Sequence, residues 1–525
     1  MRILMAAAEN DALPGGKVGG IGDVVRDAPP ALAALGHSVD VVTPGYGHFS
    51  QYPGAERTDQ VSVWFRGRLE QVQIFRVPGK RKAKSVAFWA LEHPLFSAAG
   101  VGRIYCDDGP DRPFATDASK FALFCAALGQ AVMQGHLPAP DVLHLHDWHT
   151  ATLAVLRAYH PGFQALGSIP LVYTIHNLAL QGTRPQRGDE SALLSWFPGL
   201  EFDDAVIHDP SVWGCYNPVR AAINLSDRVH VVSPTYAAEI LRPSEPWHGF
   251  TGGEGLEPDL RRADREGRLY GILNGCEYPG QSGSQEPVDL FRLAQRELLA
   301  LVGKSTSVDS AHLIAFRRLD LIVADIAALP SQVITSVGRI TDQKLLILRQ
   351  RMADGRSALD HLLDSLDPGQ LMVLLGSGDP AVEACFTEVA GRRDNFLFLK
   401  GYSDPLAKAL YAGGDLFLMP SSFEPCGISQ MLAMREGQPC LVHRVGGLAD
   451  TVEDGRDGFA FAGESPLHQA EAMLARLRDV LELMRDDPGG WKRIRERAAA
   501  ARFHWSESAE KYVELLYTGD SDNSR

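Results

Sequence analysis

Long apolar runs are missing from this chain of 525 residues: nowhere do about 18 apolar residues follow one another, so no segment is suited to cross a bilayer as a helix. The opening Arg2-Ile3-Leu4-Met5-Ala6-Ala7-Ala8 is cut off by Glu9 and Asn10, too soon for the apolar core of a secretory leader, and reads as a first buried strand. Cysteine is scarce. Seven are present (Cys106, Cys125, Cys215, Cys276, Cys385, Cys426 and Cys440), an odd number, widely scattered and without a C-x-x-C pair, which argues against a disulfide framework and a zinc knuckle. Positive charge is in deficit, 51 Lys plus Arg against 65 Asp plus Glu for a net −14, which opposes nonspecific attraction to nucleic acid or an anionic membrane. No repeat of fixed period occurs. The expectation is a cytoplasmic protein with reduced thiols and neither a membrane nor a nucleic-acid partner; a phosphorylated small ligand stays open.

What is present is apolar residue in globular proportion, 45%, in a chain long enough for two or three domains. In the second half short β-rich runs at 333–340, 371–375, 396–400, 416–420 and 440–443 alternate with helix-length segments such as 381–390 and 428–437. Parallel strands need such crossovers, so a doubly wound sheet is expected between about 330 and 460. The first half opens the same way, with a strand at 3–7, a Gly-rich loop at 15–22, a helix over 23–35 kinked by Pro29 and Pro30, and a strand at 39–43. Further strands are expected at 142–145, 171–175 and 229–232, with antiparallel material around 61–91. The resulting fold class is α/β: two Rossmann-like, doubly wound domains facing across a cleft. Turn formers at 252–255 and 279–285 put the boundary near 255–275. The division drawn is 1–260, 261–490, and 491–525 as a terminal helix (506–517) docking back on the first domain with a disordered polar tail after Thr518.

Four motifs stand at predicted strand ends. In Gly15-Gly16-Lys17-Val18-Gly19-Gly20-Ile21-Gly22-Asp23 the glycines permit close backbone approach and expose N–H groups at a helix start, and Lys17 adds a cation; the spacing is neither a Walker loop nor G-x-G-x-x-G. A plain tight turn competes with a phosphate or sugar role. In Gly338-Arg339-Ile340-Thr341-Asp342-Gln343-Lys344 two cations leave a strand's carboxyl end together, where a pyrophosphate can be held, against the alternative of a solvated helix start. Glu424 in Ser421-Ser422-Phe423-Glu424-Pro425-Cys426-Gly427-Ile428 can face a sugar hydroxyl or merely cap a helix, and Cys426 lacks the His/Asn company of a nucleophile. Gly446-Gly447 follows the next strand.

The fourth motif, His144-Leu145-His146-Asp147-Trp148-His149, places His144 and His146 on one face of a strand. It misses the H-x-H-x-D-H order of metallohydrolases, so a core histidine is preferred to a metal ligand at His144, while Asp147 and His149 at the strand exit are the better placed to touch substrate. His176-Asn177 ends another buried strand, either as substrate contact or as a satisfied structural histidine. All four motifs fall on the ligand-binding edge of doubly wound sheets.

These residues, with Val232-Ser233-Pro234-Thr235-Tyr236-Ala237, Leu273-Asn274-Gly275, Gly446-Gly447-Leu448-Ala449-Asp450-Thr451 and the Trp505-to-Tyr512 tail, resemble in their order the bacterial glycogen synthase and starch synthase family, retaining glucosyltransferases of the two-Rossmann GT-B architecture. The resemblance runs over nearly the whole chain. It implies transfer of glucose from ADP-glucose to the non-reducing end of an α-1,4-glucan such as glycogen, with retention, no cofactor and no essential metal. Carried onto this sequence, it implies that Lys17, Gly19 and Gly20 contact the sugar nucleotide and that Arg339 and Lys344 neutralise the departing diphosphate. It further implies that Glu424 binds the 3- and 4-hydroxyl region, that Gly427 and Ile428 present N–H groups beside Cys426, and that Tyr402 stacks on adenine. Asp147, His176 and Asn274 then line the reacting sugar, and closure of the domains completes the site. With no obvious second carboxylate, a front-face ion-pair-like step is expected in place of double displacement.

The sequence departs from the family at Val18 and Gly22, where Thr and Ala are usual, at Leu345-Leu346, and over 276–311, where the usual W-P-x-x-D run and lysine-rich helix are not recognisable. Competing functions are a glucosyltransferase using UDP-glucose or a small acceptor such as glucose 1-phosphate, a non-catalytic glucan-binding homologue, and a zinc hydrolase built on the His144 cluster.

Overall fold

A computed structural model describes residues 1–278, 287–304, 308–325, 327 and 329–518; the turn-rich stretch 279–285 and the tail after Thr518 lie outside the described residues. The chain forms two compact units, Met1–Ser244 with Gly252–Glu277 and the chain from His504, and Glu245–Thr251 with Tyr278–Phe503. Among the described residues no helix is long and apolar enough to cross a membrane.

The first unit is built on strands β1 (Arg2–Ala6), β2 (Ser38–Pro44), β3 (Glu56–Phe65), β4 (Arg68–Val77), β5 (Val86–Glu92), β6 (Val142–His146), β7 (Leu171–Ile175), β10 (Arg228–Val231) and β11 (Leu269–Gly271), with a separate two-residue pair β8 (Arg184–Pro185) and β9 (Cys215–Tyr216). Their order is β11-β10-β7-β6-β1-β2-β5-β4-β3. Pairing is parallel from β11 to β5 and antiparallel where β4 meets β5 and β3. The composition of the strands follows their position. β6 and β7 are buried throughout, as parallel strands covered on both faces must be, whereas β3 alternates Val61, Val63 and Phe65 inward with Ser62 and Trp64 outward.

Helix α1 (Gly20–Ala34) carries Pro29 and Pro30 within it and buries Ile21, Val24, Val25, Ala28 and Leu32, a stripe of helical period. Helix α2 (Ala115–Met133) escapes a pattern reading because it is apolar on nearly every side and buried along almost its whole length. Helix α3 (Trp148–Tyr159) leaves the end of β6. The C-terminal helix Trp505–Lys511 runs into a π-helical turn at Tyr512–Thr518, and Trp505, Tyr512, Leu516 and Tyr517 join one apolar cluster with Ile3, Met5, Val39 and Val142. Gly275 is required where the chain passes this helix: a Cβ there would sit 2.5 Å from the backbone nitrogen of Trp505.

In the second unit β12 (Gln332–Val337), β13 (Gln370–Gly376), β14 (Phe396–Lys400), β15 (Leu416–Met419), β16 (Cys440–His443) and β17 (Phe459–Phe461) form one all-parallel sheet in the order β14-β13-β12-β15-β16-β17. β13 is buried from end to end, and its side chains divide by the strand's period of two: Leu371, Val373 and Leu375 enter the core on one face, Met372 and Leu374 the core on the other. β12 is shorter than the 333–340 expected. It stops at Val337, and Gly338 to Ile340 form the turn into the helix Asp342–Arg349, Ile340 keeping a single bridge to Gly378. Within 276–311, where the family's usual run and lysine-rich helix are not recognisable, the chain forms the helix Pro287–Lys304, and a second helix, Ser310–Ala324, starts at the segment's end.

Each sheet has a switch point, where strand order reverses and the loops leaving neighbouring strands splay to opposite faces. In the first unit it lies between β1 and β6, in the second between β12 and β15. Open α/β sheets bind ligands at the carboxyl ends of such pairs.

Candidate functional site

At the first unit's switch point, the loop after β1 folds over a carboxylate. Glu9, 3% exposed, accepts hydrogen bonds through Oε2 from the backbone N–H groups of Val18 (3.0 Å) and Gly19 (2.5 Å), and through Oε1 from the Tyr105 hydroxyl (2.8 Å). Gly19 is the N-cap of α1. The anion that the start of α1 favours is therefore supplied by the protein itself. Lys17 donates to Asp23 Oδ1 at 2.7 Å, and Arg26 pairs with Asp11, Asp23 and Asp27. Gly20, by contrast, has open space where a Cβ would lie. Glu9 thus satisfies two N–H groups of the glycine-rich loop, and the loop's rim at Gly20 is open.

Across the switch point, β6 is followed by Asp147, the N-cap of α3, whose backbone takes φ 54° and ψ −175°, a region that an L-residue occupies under strain. Its Oδ1 accepts the N–H of His176 at 2.7 Å, and its own N–H bonds Thr174 O at 2.9 Å. Burial pushes the Asp147 carboxyl up to about 7, against the N–H groups of His176 and Asn177, which lower it, and with the help of the Glu9 charge.

The histidines sort into distinct roles. His144 has both nitrogens engaged, Nδ1 with Tyr517 Oη (2.8 Å) and Nε2 with Thr174 Oγ1 (2.6 Å), and is a core residue. Thr174 Oγ1 also meets His230 Nδ1 at 2.9 Å. Among the described residues no group of three or more His, Cys, Asp or Glu is disposed to hold a metal ion. His149, expected near substrate, is instead buried between Trp148 and Phe121, ring centroids 4.3 and 4.8 Å away, because the first turn of α3 rotates it inward. His176 remains at the strand end, partly exposed, its Nε2 2.9 Å from His146 Nδ1. Asn274, after β11, is buried, and its Oδ1 has no hydrogen-bond partner among the described residues.

The second unit's switch point joins the remaining motifs more tightly. Lys344, on the helix after β12, donates to Glu424 Oε2, in the loop after β15; Ser421 Oγ donates to the same oxygen at 3.2 Å. The two segments are stitched by Ser422 N–H to Gln343 O (2.8 Å) and Gln343 Nε2 to Phe423 O (3.3 Å). Gly446 and Gly447 complete the arrangement: a Cβ at either would lie 2.0 Å from Glu424 O or 2.2 Å from Cys426 O, so only glycine lets the two loops meet. Cys426 is buried there. Gly427 has φ +76°, and the N–H groups of Gly427 and Ile428 bond to nothing among the described residues. Arg339 is exposed, and its guanidinium has no hydrogen bond or ion pair among the described residues. Tyr402 stands at the end of edge strand β14, half exposed, its hydroxyl on Asp404 Oδ1 at 2.7 Å.

Lys17, Gly19, Gly20, Asp147, His176 and Asn274 thus belong to the first unit, and Arg339, Lys344, Tyr402, Glu424, Cys426, Gly427 and Ile428 to the second. The sequence reading missed Glu9 and His146. An acidic residue three places beyond a buried strand and just ahead of a glycine-rich turn was the available signal for Glu9. For His146 it was the two-residue spacing that sets its ring on His144.

Comparison with known proteins follows the same outline. A family profile described as starch synthase catalytic domain matches residues 2–262, and one described as glycosyl transferases group 1 matches 328–487. The chain is 34% identical to a glycogen synthase of Gloeobacter violaceus, over 98% of both chains, and 33% identical to a glycogen synthase of Anaeromyxobacter dehalogenans, over 99% of both. It is similar to the catalytic domain of starch synthase IV from Arabidopsis thaliana, a structure bound to ADP and acarbose, with TM-score 0.74, 27% identity and 98% coverage of both chains.

Proposed function

This chain belongs to the glycogen and starch synthase family and is a glycosyltransferase of the two-domain GT-B architecture, and from that premise we propose that it transfers glucose from ADP-glucose to the non-reducing end of an α-1,4-glucan, retaining configuration. The observation that carries the reading is the second unit's switch point, where a part-buried Lys344–Glu424 pair shares its loop with Arg339, exposed and unpartnered among the described residues.

The donor's diphosphate gains negative charge as the glycosidic bond breaks. Fixed cations aimed at that charge stabilise the transition state more than the ground state, and this is the role of Arg339 and Lys344. The unbonded N–H groups of Gly427 and Ile428 add donors to the same phosphates or to the sugar, while Glu424 accepts from the hexose 3- and 4-hydroxyls. Tyr402 supplies an exposed ring for adenine. In the first unit Glu9 already satisfies the N–H groups of Val18 and Gly19, so the diphosphate is assigned to the second unit and Lys17, Gly19 and Gly20 to contacts at the donor's edge. Asp147, His176 and Asn274 serve the hexose.

Retention is assigned to a front-face step. The C1–O bond to phosphate breaks, the acceptor 4-hydroxyl bonds C1 on the same face, and its proton passes to the leaving phosphate oxygen. A trapped covalent glucosyl-enzyme would replace this with double displacement. The deciding assay follows ADP release from ADP-glucose with and without glycogen, and repeats it with UDP-glucose. Glycogen-dependent ADP release exceeding the UDP rate supports the proposal; UDP-glucose preference, or transfer to glucose 1-phosphate alone, refutes it.

A further inference from the structure

We infer that His146 fixes the tautomer of His176 and is thereby its positioning residue in glucosyl transfer, an inference that rests on the placement of His176 at the donor hexose. The two rings meet through His146 Nδ1 and His176 Nε2 at 2.9 Å. Burial holds both imidazoles well toward the neutral form, so the contact has one donor and one acceptor. Which is which follows from the far side of each ring. His146 Nε2 is enclosed and has no partner among the described residues. An enclosed N–H without an acceptor is the rarer defect, compared with an enclosed lone pair without a donor. The His146 proton therefore sits on Nδ1 and is donated to His176 Nε2.

His176 must then carry its own proton on Nδ1. That nitrogen makes no hydrogen bond among the described residues and is not among the enclosed atoms, so it opens to solvent at the strand end. The consequence is a neutral N–H donor, aimed outward, suited to a hydroxyl oxygen of a sugar and unable to act as a base toward it. The donor ring is itself held. His146 stacks on His144 with centroids 4.4 Å apart and planes 21° apart, and His144 is clamped between Tyr517 and Thr174. On the other side the His176 backbone N–H is pinned to Asp147 Oδ1. Ring orientation and protonated nitrogen are both set before substrate arrives.

The test uses the full chain labelled with ring-15N histidine, the His176 signals being assigned with His176→Gln. Couplings between ring nitrogens and carbon-bound protons report which nitrogen is protonated. Wild type is expected to show His176 protonated at Nδ1. In His146→Leu an Nε2–H population should appear, with kcat down about 10- to 100-fold and KM for ADP-glucose within about twofold. His146→Asn, whose amide can place an N–H near the Nδ1 position, should restore both readouts. A wild-type His176 protonated at Nε2 overturns the inference, as does an unchanged tautomer in folded His146→Leu. Should His146→Leu not fold, the wild-type and His146→Asn spectra still decide. A tautomer that shifts while kcat stays constant in His146→Leu and in His176→Ala overturns the role in transfer by removing His176 from the hexose, a failure the spectrum keeps distinct.

Discussion

Replacing Lys344 separates what the Lys344–Glu424 pair does for the fold from what it does for the reaction. The Glu424 side chain is 8% exposed and that of Lys344 18%. In Lys344→Met, Glu424 keeps, among the described residues, only the Ser421 hydroxyl, and an uncompensated buried carboxylate costs about 3–5 kcal/mol. For a unit of this size that lowers its thermal midpoint by about 2–4 °C per kcal/mol. Glu424→Gln leaves a lysine that can still reach water, at about 1–3 kcal/mol. The double variant has no stranded charge and should recover about 2–3 kcal/mol relative to the sum of the singles. Turnover should behave otherwise. Loss of a cation that meets the developing diphosphate charge costs about 10²–10³ in kcat, and the double variant should remain as slow as Lys344→Met. Denaturation and ADP release on the same four proteins give both cycles. Recovery of kcat alongside stability in the double variant would show Lys344 to be a structural counter-ion only, and the catalytic argument would fail.

Asp147→Asn tests the buried carboxyl. Because folding raises this group from 3.8 to about 7, the folded state keeps a proton that the unfolded chain releases between those values, so its contribution to stability falls as pH rises through that window. The asparagine Oδ1 can still accept the His176 N–H, and the variant should gain on wild type by up to roughly 4 kcal/mol from pH 4 to 7, then level off; a difference independent of pH refutes it. Gly447→Ala must push the Cys426 carbonyl from 2.2 Å, at a cost of about 1–3 kcal/mol, and should raise the KM for ADP-glucose in a steady-state assay. Unchanged kinetics would detach that loop from the donor. Glu9→Ala frees the Val18 and Gly19 N–H groups and should both destabilise the chain, by about 1–3 kcal/mol, and strengthen inhibition by inorganic phosphate beyond that of wild type; unchanged phosphate inhibition contradicts the self-supplied anion.

Local chemistry made the strands at 171–175, 396–400 and 440–443 readable to the residue, because a doubly covered parallel strand must be apolar on both faces and is bounded by polar or turn-forming residues. The same logic places Arg339, Lys344, Glu424, Asp147 and His176 just beyond strand ends. Where polarity does not vary along the chain the reading failed: α2 is apolar all round and carries no stripe to mark it.

Sequence by itself therefore determined the α/β class, the family and the edge of each sheet on which chemistry sits, since these depend on residue types at short spacing. Only the tertiary structure decided that strand order reverses between β1 and β6 and between β12 and β15. It also decided that Lys344 spends its charge on Glu424, 80 residues away, that Glu9 fills the glycine-rich loop, and that His149 turns inward while His146 reaches His176. The Lys344–Glu424 and His146–His176 contacts join residues 80 and 30 places apart, set by which loops the sheet brings side by side, and no local pattern encodes them.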